Sequence, residues 1–90
     1  MTLEEIQKRL EEMDVQVLLA DGFEDALIGI GMQFNKPLAI YDCEKCLDIL
    51  MHRYGMSYED AEEYLCFNVY DAYVGEQTPV FMVRLKEDDE

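Results

Sequence analysis

The apolar residues between Asp42 and Gly55 recur at helical spacing and constrain the fold more than any other feature of the sequence. They fall at positions i, i+3, i+4, i+7, i+8 and i+11, which places them on one face of a single helix. Asp42 is a favourable N-cap, and Gly55 suits the left-handed residue that follows a helix. The sequence therefore predicts a helix over residues 43–54 with one buried face. The apolar positions are Cys43, Cys46, Leu47, Leu50, Met51 and Tyr54.

Two further helices are predicted from their start signals. Thr2 followed by Glu5 is a capping-box pattern, and the apolar residues of segment 3–13 keep near-helical spacing. Ser57 is the predicted N-cap of a third helix, whose apolar stripe includes Ala61 and Leu65. Gly75 stops this helix at the latest, and its end before that point is left open.

Four segments are predicted to form strands. Residues 26–34 alternate between apolar side chains and small or polar ones, which indicates a strand with one buried face. Turn residues at 35–37 predict a hairpin that returns through residues 38–41. Residues 15–20 and 80–85 are short apolar runs rich in strand formers.

Gly29 and Gly31 occupy the second face of the alternating strand. Glycine weakens a strand interior, so its presence here needs a reason. Either a helix or another part of the backbone approaches closely, or the face is kept flat for a partner. We favour close packing.

The order α-β-β-β-α-α-β with short connections predicts an α+β fold. We expect a small antiparallel sheet of about three to four strands, covered on one face by two to three helices. Residues 1–90 form one domain in this interpretation, and residues 87–90 form a solvated acidic tail.

The charge balance excludes several partners. There are 7 basic and 21 acidic side chains, for a net charge of −14. Phosphate recognition requires Lys and Arg, so direct nucleic-acid binding and attraction to an anionic membrane are not expected. The first residues lack a basic start followed by an apolar run, and the three cysteines make an odd number. These features predict a cytoplasmic, reduced protein.

Cys43 and Cys46 form the sharpest chemical motif, a CxxC at a predicted helix start. Dithiol oxidoreductases place such a pair at a helix N-terminus to lower a thiol pKa. Both cysteines also lie on the apolar stripe, where free cysteine packs as a small hydrophobe. We favour the packing role, and a redox dithiol remains the enzymatic alternative.

Metal or cofactor binding is not predicted. Zinc could use Cys43, Cys46, His52 and Cys66, but their spacing matches no common zinc-finger pattern. A hard cation could use Asp21, Glu24 and Asp25, which lie in one loop without the spacing of a calcium-binding loop. We interpret these three carboxylates as solvated acids.

The third helix and its exit carry the densest negative charge. Six acidic residues and no basic one fall within 57–76, and tyrosines are interleaved with them. Like charges destabilise a helix, whereas tyrosines ringed by charge suit a protein-binding face. A solvated helix face is the simpler alternative. The residues predicted to bind a partner are Glu59, Asp60, Glu62, Glu63, Tyr64 and Asp71, with Asp21, Glu24 and Asp25 as a second acidic patch.

Motifs over roughly residues 20–82 carry a family resemblance. They are DGFEDALIG at 21–29, YD at 41–42, KC at 45–46, ILM at 49–51, GMS at 55–57, EY at 63–64, FNV at 67–69, AYVGE at 72–76 and TP at 78–79. In their order and spacing they resemble a group of small acidic proteins encoded by bacteriophages and related mobile elements. The resemblance implies an acidic or aromatic residue where Cys43 stands and a glycine where Asp71 stands. It implies an origin and not an activity, because the group has no established one.

The resemblance and the charge together suggest a viral protein that acts in the host cytoplasm. Small acidic phage proteins commonly bind host machinery, including defence nucleases, as DNA mimics or anti-CRISPR proteins, and transcription enzymes. We therefore expect a non-enzymatic inhibitor that binds a basic host protein surface, including one that normally holds nucleic acid. The alternatives are the dithiol oxidoreductase and a self-associating structural or regulatory protein, with a homodimer as its simplest form.

Overall fold

The computed structural model describes residues 2–70 and 72–85, which form three α-helices and one three-stranded sheet. The elements in chain order are α1 (Leu3–Met13), β1 (Leu27–Gln33), β2 (Lys36–Asp42), α2 (Cys43–Tyr54), α3 (Tyr58–Leu65) and β3 (Val80–Met82). A 3₁₀ turn, Glu24–Ala26, precedes β1, and a π-helical turn, Cys66–Tyr70, continues α3. The α+β class is confirmed. Asp71 and the predicted acidic tail at 87–90 lie outside the described residues.

The predicted helix starts are confirmed by their hydrogen bonds. The Thr2 hydroxyl accepts the Glu5 amide at 3.1 Å, and the Glu5 carboxylate accepts the Thr2 amide at 2.9 Å, which completes the capping box. The Asp42 carboxylate accepts the amide of Glu44 at 2.9 Å. Ser57 does the same for the amide of Asp60 at 3.1 Å.

The sheet has the order β1-β2-β3 and mixed strand directions. β1 and β2 are antiparallel, whereas β3 runs parallel to β2, which corrects the expectation of an antiparallel sheet. The reason is the connection: α2 and α3 carry the chain back across the sheet before β3, and such a crossover produces parallel neighbours. β3 is also shorter than predicted, because residues 83–85 do not continue the strand.

The hairpin turn lies one residue earlier than predicted. Phe34 and Asn35 form the turn, with φ of 52° and 64°, and Lys36 already pairs with Gln33 in the ladder. Positive φ at both central residues is the geometry of a tight two-residue hairpin, which matches the twist of the strands.

The predicted strand at 15–20 is wrong. These residues form no strand, yet Val17, Leu19 and Ala20 pack against the core. A run of strand-forming residues indicates that its side chains are buried. In this segment the side chains are buried by packing against the core, without the backbone hydrogen bonds of a sheet.

The core lies between one face of the sheet and the two helices α2 and α3. Its largest fully buried side chains are Tyr41, Leu65 and Cys46. On the opposite face, a Cβ added at Gly31 would lie 2.7 Å from Cδ1 of Ile40 on the neighbouring strand. Close packing thus explains Gly31, although the neighbour is a side chain and not backbone; Gly29 has open space.

No helix within residues 2–70 and 72–85 is long and apolar enough to cross a membrane.

Candidate functional site

Four carboxylates form one exposed face of α3. With about 100° between successive helical residues, Glu59, Asp60, Glu62 and Glu63 span an arc of about 160°. Ala61 and Leu65 lie on the opposite side and are completely buried. The sequence pattern explains this orientation, because burial of the two apolar residues turns the acids toward solvent. We call these four residues the acidic face.

Ion pairs within residues 2–70 and 72–85 do not involve the acidic face. They join Lys36 to Glu76 at 3.0 Å, Arg53 to Asp25 at 3.5 Å and Arg84 to Asp42 at 3.3 Å. Glu76, which belongs to the acidic run in sequence, is therefore compensated by a lysine from β2. The charge of the acidic face has no such compensation among the described residues.

The tyrosines near α3 take different positions. Tyr58 donates a hydrogen bond to the Glu62 carboxylate at 3.4 Å, and Tyr73 is largely exposed. Tyr70 instead packs its ring on Phe81, with centroids 5.4 Å apart. Burial, followed by a hydrogen bond with Cys43, raises the pKa of Tyr70. Tyr64 is the tyrosine that borders both the acidic face and a cavity.

An apolar groove of about 430 Å³ adjoins the acidic face at Tyr64. We call it the Tyr64 groove. Its polar rim includes Asp21 and Asn68, and none of the described residues that line it is basic. The lining residues are Leu18, Leu19, Ala20, Asp21, Phe23, Tyr64, Asn68, Val69, Ala72, Val74, Thr78, Pro79 and Phe81.

Hydrogen bonds fix the wall of the Tyr64 groove that residues 72–79 form. The Thr78 hydroxyl accepts the Val74 amide at 2.9 Å and donates to the Gly75 carbonyl at 2.6 Å. The Gln77 side chain donates to the carbonyls of Gln16 at 2.7 Å and Pro37 at 3.2 Å. This wall is thus tied to segment 15–20 and to β2.

The structure divides the predicted second acidic patch. The Glu24 carboxylate accepts the Gly22 amide at 3.1 Å within its own loop, and Asp25 pairs with Arg53. Asp21 alone of the three lines the Tyr64 groove, where it shares the rim with Tyr64. Residues distant in sequence are therefore brought to one site. Asp71, the remaining predicted binding residue, lies outside the described part of the chain.

The two cysteines of the CxxC motif are buried at the start of α2. Cys46 is completely buried in the core, and this burial raises its pKa to about 12, with Cys43 and Asp42 adding to the effect. Complete burial among core side chains is the setting in which a free cysteine packs as a small hydrophobe, so the environment of Cys46 fits the packing role. Cys66 is exposed at the end of α3.

A metal centre has no support within residues 2–70 and 72–85, which contain no group of three or more metal-ligating side chains in suitable positions. His52 lies with Asp25, Asp48 and Arg53 around a shallow surface depression. The four donors considered for zinc are therefore not assembled.

Sequence reasoning did not identify the Tyr64 groove or the residues that support it. No sequence pattern around Gln77 predicts the two hydrogen bonds that its side chain makes with distant carbonyls. The alternating pattern of residues 26–34 predicts that Phe34 belongs to the strand, whereas Phe34 lies at the hairpin tip and is 89% exposed. Among the residues that line the groove, Thr78-Pro79 carries a signal in the sequence, since proline is tolerated where a strand begins.

Comparison of the chain with protein-family models, with curated proteins and with solved structures gives no significant match.

Proposed function

We propose that the protein is a non-enzymatic inhibitor that binds a basic surface of another protein through the acidic face of α3. The observation that carries this proposal is the grouping of four exposed carboxylates on one side of a helix, without a cationic partner among the described residues. A solvated face needs no such concentration. Repulsion within it is a cost that a cationic partner would relieve.

The aromatic neighbours of this face support binding of a protein. Tyr58 and Tyr64 flank the carboxylates and remain about half exposed, at 52% and 40%. Tyrosine contributes large contact area and a hydroxyl, and it is enriched at the energetic centres of interfaces. The predicted partner therefore offers lysine and arginine together with surface for an aromatic ring.

The resemblance of the sequence motifs to small acidic phage proteins supports a proposal that this activity is exerted in the cytoplasm of a bacterial host. The basic surface would then belong to a defence nuclease or to the transcription machinery, and the acidic face would occupy the groove that normally holds nucleic acid. Defence nucleases and transcription enzymes of the host are therefore the first partners to test.

The test is retention of proteins from a bacterial lysate on the immobilised protein at low and high salt. A triple variant carries Glu59→Lys, Glu62→Lys and Glu63→Lys. Its matched control carries Glu4→Lys, Glu11→Lys and Glu12→Lys on α1, with the same change in net charge. We expect the α3 variant to lose salt-sensitive partners that the control keeps. Equal retention by both variants would refute the acidic face as the binding site.

Self-association is a second candidate, and the exposure of β1 favours it. β1 is an edge of the described sheet, and it exposes the side chains of Ile28 and Met32. Exposed edge strands pair with other chains, although a net charge of −14 opposes such pairing at low salt. The solution mass at high salt distinguishes this candidate, because a monomer at all protein concentrations contradicts it.

A further inference from the structure

The Tyr64 groove and the acidic face are continuous, and this juxtaposition defines a more specific partner. Asp60 lies one helical turn before Tyr64, and Asn68 lies one turn after it, so one row of residues leads from carboxylates to the groove rim. Asp21 adds a carboxylate on the other side of the rim. An occupant therefore meets an apolar floor with Asp21 at its rim and with the carboxylate of Asp60 one helical turn away.

The floor of the groove is formed by apolar side chains that belong to the edge of the core. Val69 and Phe81 are partly buried against the core, and Phe23 is fully part of it. The volume of about 430 Å³ exceeds the space that one bulky side chain needs. A side chain inserted here would be removed from water by surfaces that are already held in place, which lowers the ordering cost of binding.

Charge complementarity selects the occupant. A second copy of the chain would bring a further −14 to a negative rim, and the chain's own residues 87–90 are all acidic. Nucleic acid is repelled for the same reason. A cationic peptide segment is attracted by the rim, and a bulky apolar residue within that segment fits the floor.

We propose that the Tyr64 groove binds a lysine- or arginine-rich peptide segment of the partner by taking one of its bulky apolar side chains, while the acidic face contacts the flanking cations. This inference rests on the proposed function, because the acidic face supplies the electrostatic attraction. The inference goes beyond the proposed function because it requires a bulky apolar side chain in the partner peptide. A protein that only imitated the charge of DNA would not require one.

Two fluorescein-labelled peptides test the proposal by anisotropy. One is a short oligolysine, and the other has the same number of lysines around a leucine-phenylalanine-leucine centre. At about 0.15 M salt we expect the second peptide to bind at least about tenfold more tightly to the wild-type protein. Equal affinities for the two peptides would overturn the groove and leave the acidic face in place.

The variant Ala72→Trp fills the groove from its rim, since Ala72 is exposed and lines it. We expect it to abolish the preference for the apolar-centred peptide and to leave oligolysine binding unchanged. The α3 triple variant should lose both peptides. If the wild-type protein binds neither peptide at low salt, the proposed function and the groove both fail.

Methyl spectra of the wild-type protein give a readout that does not depend on the variant's folding. Addition of the apolar-centred peptide should shift the methyl signals of Val69 and Val74 in the groove. Shifts confined to Leu10, Met13 and Ile28, which line a separate groove between α1 and β1, would overturn the proposal. The proposal would also be overturned if the solution mass showed that the protein self-associates and that the associated form does not bind the peptide. A second copy of the chain would then be the occupant of the groove.

Discussion

The phenol oxygen of Tyr41 accepts a hydrogen bond from the backbone amide of Ala20 at 2.8 Å. Tyr41 is 1% exposed, and its ring stacks on Phe81 with centroids 5.5 Å apart. One buried side chain of β2 thus joins the irregular segment 15–20 to β3, and both of these line the Tyr64 groove. Burial raises the pKa of Tyr41, so the hydroxyl stays neutral in the fold.

Tyr41→Phe tests this contact by removing the acceptor while keeping the ring. The Ala20 amide would remain partly buried without its partner, so we expect the free energy of unfolding to fall by about 1–2 kcal/mol. Urea denaturation measures the loss. Tyr73→Phe is the matched control, because Tyr73 is largely exposed, and it should leave stability unchanged. Equal midpoints for both variants would show that the bond contributes nothing.

The buried thiol of Cys46 should make the folded protein less stable at alkaline pH. Burial raises the pKa of its thiol from 9.0 to about 12, so the folded protein keeps a proton that the unfolded chain has lost. The contribution of the Cys46 thiol to the free energy of unfolding should therefore be constant below about pH 9. Above about pH 9 this contribution should fall by up to about 1.4 kcal/mol per pH unit, until the pH reaches about 12.

Cys46→Ala isolates this contribution. The variant should be less stable at neutral pH, because a core side chain is shortened, and its stability should decline less steeply above about pH 9. Cys66→Ala removes an exposed thiol and should reproduce the wild-type slope. Parallel curves for Cys46→Ala and the wild type would contradict the assignment. Urea melts at stepped pH supply the data.

The helices were predictable because their signals are local. Asp42 begins α2 by accepting a hydrogen bond from a nearby amide, and Gly55 ends the helix by its left-handed backbone conformation. Both signals depend only on neighbours in sequence. The direction of β3 depends instead on a crossover of about forty residues, which no local pattern records. The run at 15–20 failed for a related reason, since burial alone does not distinguish a paired strand from a packed irregular segment.

The candidate site was predictable only in part. The acidic face followed from the spacing of Glu59, Glu62 and Glu63 relative to Ala61, because helical periodicity fixes their common side. The Tyr64 groove was not predictable, since it unites residues 18–23 with residues from the region 64–81, which are far apart in the chain. Its supports, such as the Gln77 amide, act through contacts with distant carbonyls.

Gly31 and Gly29 form a matched pair within β1. A Cβ at Gly31 would meet Cδ1 of Ile40, which must then leave its rotamer, whereas a Cβ at Gly29 meets nothing within 4 Å. We expect Gly31→Ala to be less stable than Gly29→Ala by about 0.5–1.5 kcal/mol in thermal or urea unfolding. In an Ile40→Val background, which lacks Cδ1, the difference should vanish. Persistence of the difference there would place its cause elsewhere.

Phe34 occupies a strained position at the hairpin tip. Its φ of 52° is unfavourable for a bulky residue, and its exposure leaves little burial to compensate. Phe34→Gly should therefore raise the free energy of unfolding by about 1 kcal/mol. Asn35→Gly should gain less, because asparagine tolerates a positive φ. Destabilisation by Phe34→Gly would show that the ring has contacts that outweigh the strain.

Glu63→Lys separates the stability of α3 from its binding function. Glu63 lies four residues after Glu59, which repels it. A lysine at this position would replace the repulsion by an attraction in the favourable order, so we expect a gain of about 0.5–1 kcal/mol in urea denaturation. The same change should weaken oligolysine binding about fivefold at low salt, because it removes charge from the acidic face.

Glu12→Lys is the control for this change, since it shifts the net charge equally in the last turn of α1. It should leave oligolysine affinity close to that of the wild type. If the acidic face is retained for a partner although it destabilises the helix, Glu63→Lys should raise the stability and lower the affinity for oligolysine. Glu12→Lys should not show this combination. Equal loss of affinity in both variants would instead assign the attraction to net charge, and no particular surface would then be responsible.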